Sequence, residues 1–365
     1  MKVKSITKQS RIKVVFTCIL ALFLTTKLSF GQYTLKDLNA KTGSSVLLTE
    51  RSVDRPLSMH KGQFQFSFGY EPGIRSKSFN NNGELIDLAK EGIGSASYHT
   101  YGSLRYGIFE FLELGLDLNY GNTGVRSKQV VILGTTATYF IDEVNSYKGL
   151  NDIRWELSLR PFTQIKAIDF IIQPQISFPT AKWKPDQPSH VYQQIPSAQE
   201  IDINYRYNEH NGYGVTCFSL LTGLKFRLSD FAVTLTGNYL MPLGDTKTIG
   251  WNSILYFNSF TYSSFPYSFH QANELDASAI LDYQAKDWFS LRLAVYYLST
   301  QNGWSEATSD RLKTDPTRQI ILSPGYEIQV SPYLRMFQKV GFPVSGKNIA
   351  IPLTLYTGFS LNFIK

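Results

Sequence analysis

The residues able to do chemistry in this chain recur at every second position. Glu113 and Asp117 share one face of a stretch, as do Arg154, Glu156 and Arg160, and then Asp169, Gln173 and Gln175. Lys225 with Arg227, Arg335 with Lys339, and His99 with Tyr101 and Arg105 repeat the spacing, while Asp282, Arg292 and Glu327 fall on similar polar faces. Period two is the side-chain repeat of a β-strand, so each set points to one side of a sheet. Acids and bases mix on neighbouring stretches, which places Asp117 near Arg154 and Asp282 near Arg292. Around a lumen these faces form a polar constriction that filters solutes, because rings of charge set selectivity. The plainer reading is a paired network that fills the interior, since buried charges need partners. The lumen candidates are His99, Arg105, Asp117, Arg154, Glu156, Gln173, Gln175, Asp282, Arg292, Glu327 and Arg335. Their balanced signs argue against strong ion selectivity.

A second group is aromatic. Trp251, Tyr256, Phe257, Phe260, Tyr262, Phe265 and Tyr267 crowd one stretch together with serines. Aromatic walls with few polar groups bind small organic molecules, so this stretch is the ligand-facing loop candidate. The same residues also suit a projecting hairpin with cross-strand aromatic pairs.

Catalysis has little footing. Of five histidines, only His99 falls on a strand, with Ser97 and Tyr101 as same-face neighbours. No nucleophile and base are set within an evident constellation, and no phosphate loop or metal-ligand spacing is present. Cys217 is the one cysteine beyond residue 31, which excludes an intramolecular disulfide and a cysteine-based zinc site. The expectation is no enzyme, no cofactor and no metal.

The elements that must position these residues are strands. Residues 98–120 show it most clearly: Leu112, Leu114, Leu116, Leu118 and Tyr120 oppose Glu113, Gly115, Asp117 and Asn119, and residues 108–111 leave room for a tight reversal. Comparable alternation recurs at 62–70, 150–160, 168–178, up to 228, 231–241, 275–284, 288–298, 318–330, 333–342 and 349–363. Most reach the ~9–11 residues that a tilted strand needs to cross a bilayer. Short links near 108–111, 161–167, 229–230, 285–287 and 331–332 alternate with long ones at 71–94, 121–149, 179–212, 242–273 and 300–317. That sorting belongs to an all-β transmembrane antiparallel up-and-down barrel of twelve strands, with long outside loops and short periplasmic turns. The stretches 130–140 and 254–269 would enlarge the barrel if they entered the wall, which leaves fourteen strands as the alternative; their halves are short, so hairpins projecting beyond the membrane are the preferred reading.

Residues 1–31 read as a cleaved secretory signal, basic at first, then a short apolar core, then Ser29-Phe30-Gly31. Six of the 36 Lys and Arg lie there and none of the 29 Asp and Glu, leaving 30 against 29. The basic balance is thus a property of the signal, and nucleic acid is not an expected partner. Residues 32–61 form a polar periplasmic lead-in, or a segment tucked into something, and 62–365 form the barrel. The location is the outer membrane of a Gram-negative bacterium, in contact with its lipid, with both termini periplasmic. At the end of the chain Tyr356, Gly358, Leu361 and Phe363 resemble the pattern that barrel-assembly machinery recognises, and that machinery is an expected partner.

Several short phrases resemble the meta-pathway phenol-degradation family of outer-membrane barrels. They are Asp54-Arg55-Pro56 with Lys61-Gly62-Gln63-Phe64-Gln65, Leu104-Arg105-Tyr106-Gly107 with Leu112-Glu113-Leu114, Gly149-Leu150-Asn151-Asp152, and Phe178-Pro179-Thr180. They span about half of the mature chain. Ser67 stands where the family often has Glu, and Ala181 where it often has Gly. The resemblance implies a transporter-like barrel that moves small hydrophobic molecules, with no defined substrate. Two functions follow: a channel or transporter for small hydrophobic or aromatic solutes, or a structural or adhesive barrel with a plugged lumen and partner-binding loops.

Overall fold

The computed structural model describes residues 50–88, 94–133, 137–163, 167–181, 184–194, 201–209, 213–256, 259–301, 303–307, 310–313 and 315–364. They belong to the unit Val46–Lys365. Residues 1–31, expected as a signal, and residues 32–49 lie outside the described residues.

Twenty strands are described. In chain order the first ten are β1 (Gln63–Phe79), β2 (Leu85–Asp87), β3 (Gly94–Phe109), β4 (Leu112–Leu133), β5 (Ala137–Leu150), β6 (Ile153–Leu159), β7 (Ile168–Phe178), β8 (Lys184–Gln194), β9 (Ile201–Glu209) and β10 (Cys217–Leu228). There follow β11 (Phe231–Pro242), β12 (Thr246–Tyr256), β13 (Ser259–His270), β14 (Asn273–Lys286), β15 (Phe289–Gln301), β16 (Trp304–Ala307), β17 (Asp310–Lys313), β18 (Thr317–Gln329), β19 (Leu334–Lys347) and β20 (Ile349–Ile364).

Twelve of them close on themselves. The wall runs β1, β3, β4, β6, β7, β10, β11, β14, β15, β18, β19, β20 and back to β1, every neighbour antiparallel. Closure is made by the last strand on the first, from Phe64 opposite Phe363 to Phe79 opposite Ile349. No wall strand is left with an unpaired edge, which is the condition for backbone to cross hydrocarbon.

The count of twelve rather than fourteen follows from pairing. β11 bonds directly to β14, so β12 and β13 pair with each other and extend to β16 and β17 as a separate sheet. β5 likewise pairs with the far half of β4, whose near half pairs with β6. The stretches 121–149, 179–212, 242–273 and 300–317, expected as loops, therefore contain strands that continue past the wall. Their alternation lets the ladder go on satisfying backbone groups after the barrel has closed. Strand four, expected over 150–160, is shorter at Ile153–Leu159, because the Asn151 amide is taken by the Asn119 carbonyl at 2.7 Å and Asp152 leaves the ladder to accept other amides.

Burial is inside out. Leu114, Leu118, Trp155, Leu157, Phe218, Leu220, Leu293 and Leu355 are exposed on the outer face. Glu113, Asp169, Lys225, Asp282 and Asn362 are buried within. Such a surface suits lipid, where outward positions carry an apolar band and the interior is polar. At one end four links are two to four residues long, at 110–111, 229–230, 287–288 and 330–333, the β6–β7 link at 160–167 is longer, and the start of β1 meets the end of β20 there through Gln63 opposite Ile364. At the other end lie the additional strands; β19 and β20 alone turn tightly there, through Asn348 at φ 51°, a left-handed conformation that Asn tolerates.

Candidate functional site

Three arrangements share the lumen. The first is residues 50–62, which enter the short-turn end and run across it. Arg51 bonds Asp54 at 2.6 Å and Asp230 in the β10–β11 turn at 2.7 Å. Arg55 is ion-paired to Glu327 of β18 and donates to Gln329 at 3.3 Å. The amide of Leu57 donates to Asp169 of β7 at 2.6 Å, and that of Met59 to Glu113 of β4 at 2.5 Å. From β10, Lys225 donates to the carbonyls of Ser52 and Arg55 at 3.0 and 2.8 Å. An irregular segment inside a barrel has main-chain groups that no ladder satisfies, and wall side chains take that role here. Gly107 of β3 makes the approach possible: a Cβ there would sit 2.0 Å from the His60 carbonyl oxygen. His60 itself bridges Glu50 at 3.0 Å and Glu110 at 3.4 Å. Its hydrogen bond to Glu50 favours the imidazolium and raises its pKa, against the opposing effect of burial.

The second arrangement is a charge network. Arg105 of β3 reaches Glu156 at 2.7 Å, Glu113 at 3.1 Å and Asp117 at 3.5 Å. Arg154 of β6 stands directly opposite Asp117 in the register and bonds it at 2.8 Å, with Glu156 at 3.3 Å. Gln173 donates to Glu156 at 2.6 Å, while Gln175 accepts from Ser219 at 2.8 Å. Gly115 leaves the space, since a Cβ there would lie 3.1 Å from the Glu156 carboxylate. Nearer the short-turn end Asp169 takes Arg160 at 2.7 Å and Arg227 at 3.1 Å.

The third is aromatic. Lys339 Nζ lies 5.2 Å from the Tyr296 ring centre and 5.0 Å from that of Tyr356, within cation–π range. Tyr356 lies across Gly69, where a Cβ would fall 2.1 Å from its hydroxyl, and Phe337 across Gly358 at 2.6 Å. Tyr101 completes the group 5.9 Å from Tyr356. Tyr296 of this group and the charge network share a cavity of about 390 Å³, lined by Arg105, Arg154, Gln173, Asn238, Asp276 and Tyr296, among others.

The structure thus brings Arg105, Asp117, Arg154, Glu156, Gln173 and Gln175 around one cavity. Asp282 and Arg292 form a separate cross-strand pair at 2.6 Å. Glu327 holds Arg55 of the inner segment, and Arg335 donates to Gln329 at 3.2 Å beside it. His99 lies apart, over Gly121 and 6.2 Å from the Tyr101 ring. For the aromatic loop only the backbone is described: Trp251, Tyr256, Phe260, Tyr262, Phe265 and Tyr267 lie in the paired strands β12 and β13, their side chains lie outside the described residues, and so does Phe257 altogether. The contacts of residues 50–62 and the inward aromatics Tyr296, Phe337 and Tyr356 were not among the candidates. The available signals were the inward glycines Gly69 and Gly358, and the charged run from Glu50 to Lys61 just before the first strand.

No family model matches the chain and no curated protein matches it in sequence, so the family resemblance stands on the phrases above alone. Among solved structures, an outer membrane channel from Pseudomonas putida F1 is similar at TM-score 0.57 and 12% identity, covering 84% of this chain and 97% of that one. The CymD monoaromatic hydrocarbon channel is more distant, at TM-score 0.45 and 12% identity over 84% of this chain and 90% of that chain. The Ralstonia pickettii toluene transporter TbuX gives TM-score 0.44 and 10% identity over 84% and 90%. The first of these carries the fold comparison: the chain has the fold of an outer-membrane β-barrel.

Proposed function

We propose that this chain is an outer-membrane channel or transporter for small hydrophobic or aromatic solutes, exported by residues 1–31 and inserted through recognition of its last strand by the barrel-assembly machinery. The short-turn end and both termini face the periplasm in this reading, and the additional strands face outward. The observation that carries it is the mid-lumen cavity of about 390 Å³, enclosed by a closed wall and bounded by both charged and aromatic side chains. The likeness in fold to an outer membrane channel supports it, as does the resemblance to a transporter-like family. Residues 50–62 act as the inner gate. Apart from the Gly62 amide, which donates to the Gly107 carbonyl at 2.7 Å, the bonds given above between this segment and the wall use wall side chains, which lets a channel open without breaking its ladder.

The same segment favours a second reading, a barrel permanently closed at one end whose outer strands bind a partner. Uptake separates the two. Cells that lack the chain are expected to take up labelled small aromatic solutes more slowly than cells that carry it. Equal uptake, with normal amounts of folded barrel, would favour the closed barrel.

A further inference from the structure

We infer that the mid-lumen cavity is a binding site for small aromatic ammonium ions, in preference to aromatic carboxylates; this rests on the channel reading and names its solute class. The cavity lining holds two guanidiniums and three carboxylates, those of Asp117, Glu156 and Asp276. Arg105 and Arg154 are both committed to Asp117 and Glu156, at 2.7–3.5 Å. Neither bonds Asp276. Among the described residues that carboxylate has a single hydrogen-bond partner, the Asn238 side-chain amide at 3.4 Å, and no cation within ion-pair distance.

Asn238 supplies the second acceptor. Its Oδ1 is buried and has no hydrogen-bond partner among the described residues. Orphaned buried acceptors are uncommon and are relieved by a donor. Beside them Thr236 and Ser278 hydrogen-bond each other at 2.7 Å, and Asp117 is held by both guanidiniums, which leaves Asp276 and the Asn238 oxygen as the acceptors not engaged by a described cation. The aromatic wall is Tyr296, which stands opposite Ser278 in the β14–β15 ladder. Lys339, which lies over the Tyr296 ring, does not itself line the cavity. An ammonium group thus meets a carboxylate and an amide oxygen while its ring packs on Tyr296. A carboxylate in the same place faces the Asp276 carboxylate, while the two guanidiniums of the lining are held by Asp117 and Glu156.

The test is calorimetric titration of the purified full chain in detergent with benzylammonium and with benzoate, alongside planar-bilayer conductance. Benzylammonium is expected to bind at least about tenfold more tightly than benzoate, and Asp276→Asn to weaken it by about tenfold, the scale of one charge-assisted hydrogen bond. Tyr296→Leu gives an independent variant that weakens benzylammonium without altering any charge. Heat-modifiable migration confirms that each variant is folded. Benzoate binding as well as benzylammonium, neither ion binding, or an unaffected Asp276→Asn would overturn the inference. Conductance without discrimination removes this site and leaves the channel; discriminating binding without conductance supports the site and removes the channel.

Discussion

The carboxylate of Asp169 accepts a 2.6 Å hydrogen bond from the amide of Leu57, 112 residues earlier in the chain. Asp169 is fully buried and also takes Arg160 and Arg227. One wall side chain thus holds the inner segment and two cations together. Asp169→Ala leaves both guanidiniums without that carboxylate, at a cost of about 3–5 kcal/mol. Thermal unfolding in detergent should show the loss, with Asp169→Asn milder because it still accepts from Leu57.

Arg55 and Glu327 join the inner segment to β18. Reversing either charge alone should loosen the segment, read as larger or longer openings in planar bilayers. The double exchange, Arg55→Glu with Glu327→Arg, should return conductance toward that of the unmodified chain. A double-mutant cycle measures the coupling, and additive single effects would show that the pair does not act as a latch.

His60 gives that segment a pH dependence. Its pKa is raised in the folded chain by its bond to Glu50. Its stabilising contribution is therefore complete below the unfolded pKa and is lost as pH rises through the folded one. Protease cleavage within the segment should increase from about pH 5 to about pH 9. His60→Gln should flatten that profile.

Tyr356 and Gly69 are matched in shape. A Cβ on residue 69 falls 2.1 Å from the Tyr356 hydroxyl, so Gly69→Ala must displace the ring. The overpacking should cost about 1–3 kcal/mol. Tyr356→Ala in the same chain should recover most of it, measured by the temperature at which the folded band is lost on gels.

The wall was legible in the sequence because lipid outside and charge inside impose a strict period of two. Leu114 and Leu118 against Glu113 and Asp117 carry that signal, and the register opposes Asp117 to Arg154 and Asp282 to Arg292 as neighbouring strands suggest. The inner segment was not legible to the same degree. Residues 50–62 have no period, and their placement depends on Asp169, Glu113 and Glu327, which come from three distant strands. The inward aromatics were hidden for a related reason. Phe337 has the parity of Arg335 and Lys339, and Tyr356 that of Gly358, but an aromatic type does not announce a lumen until Gly69 and Gly358 are seen beneath the rings. Strand alternation also says little about where the wall ends, since β4 continues for 22 residues with the same ladder.

The most direct test of a solute path through this lumen is single-channel recording in potassium chloride, comparing the full chain with Arg55→Glu. The account predicts discrete unitary steps for both proteins, larger or longer in Arg55→Glu. An absence of steps above the lipid baseline in both, with each protein shown to be folded and inserted, would contradict it.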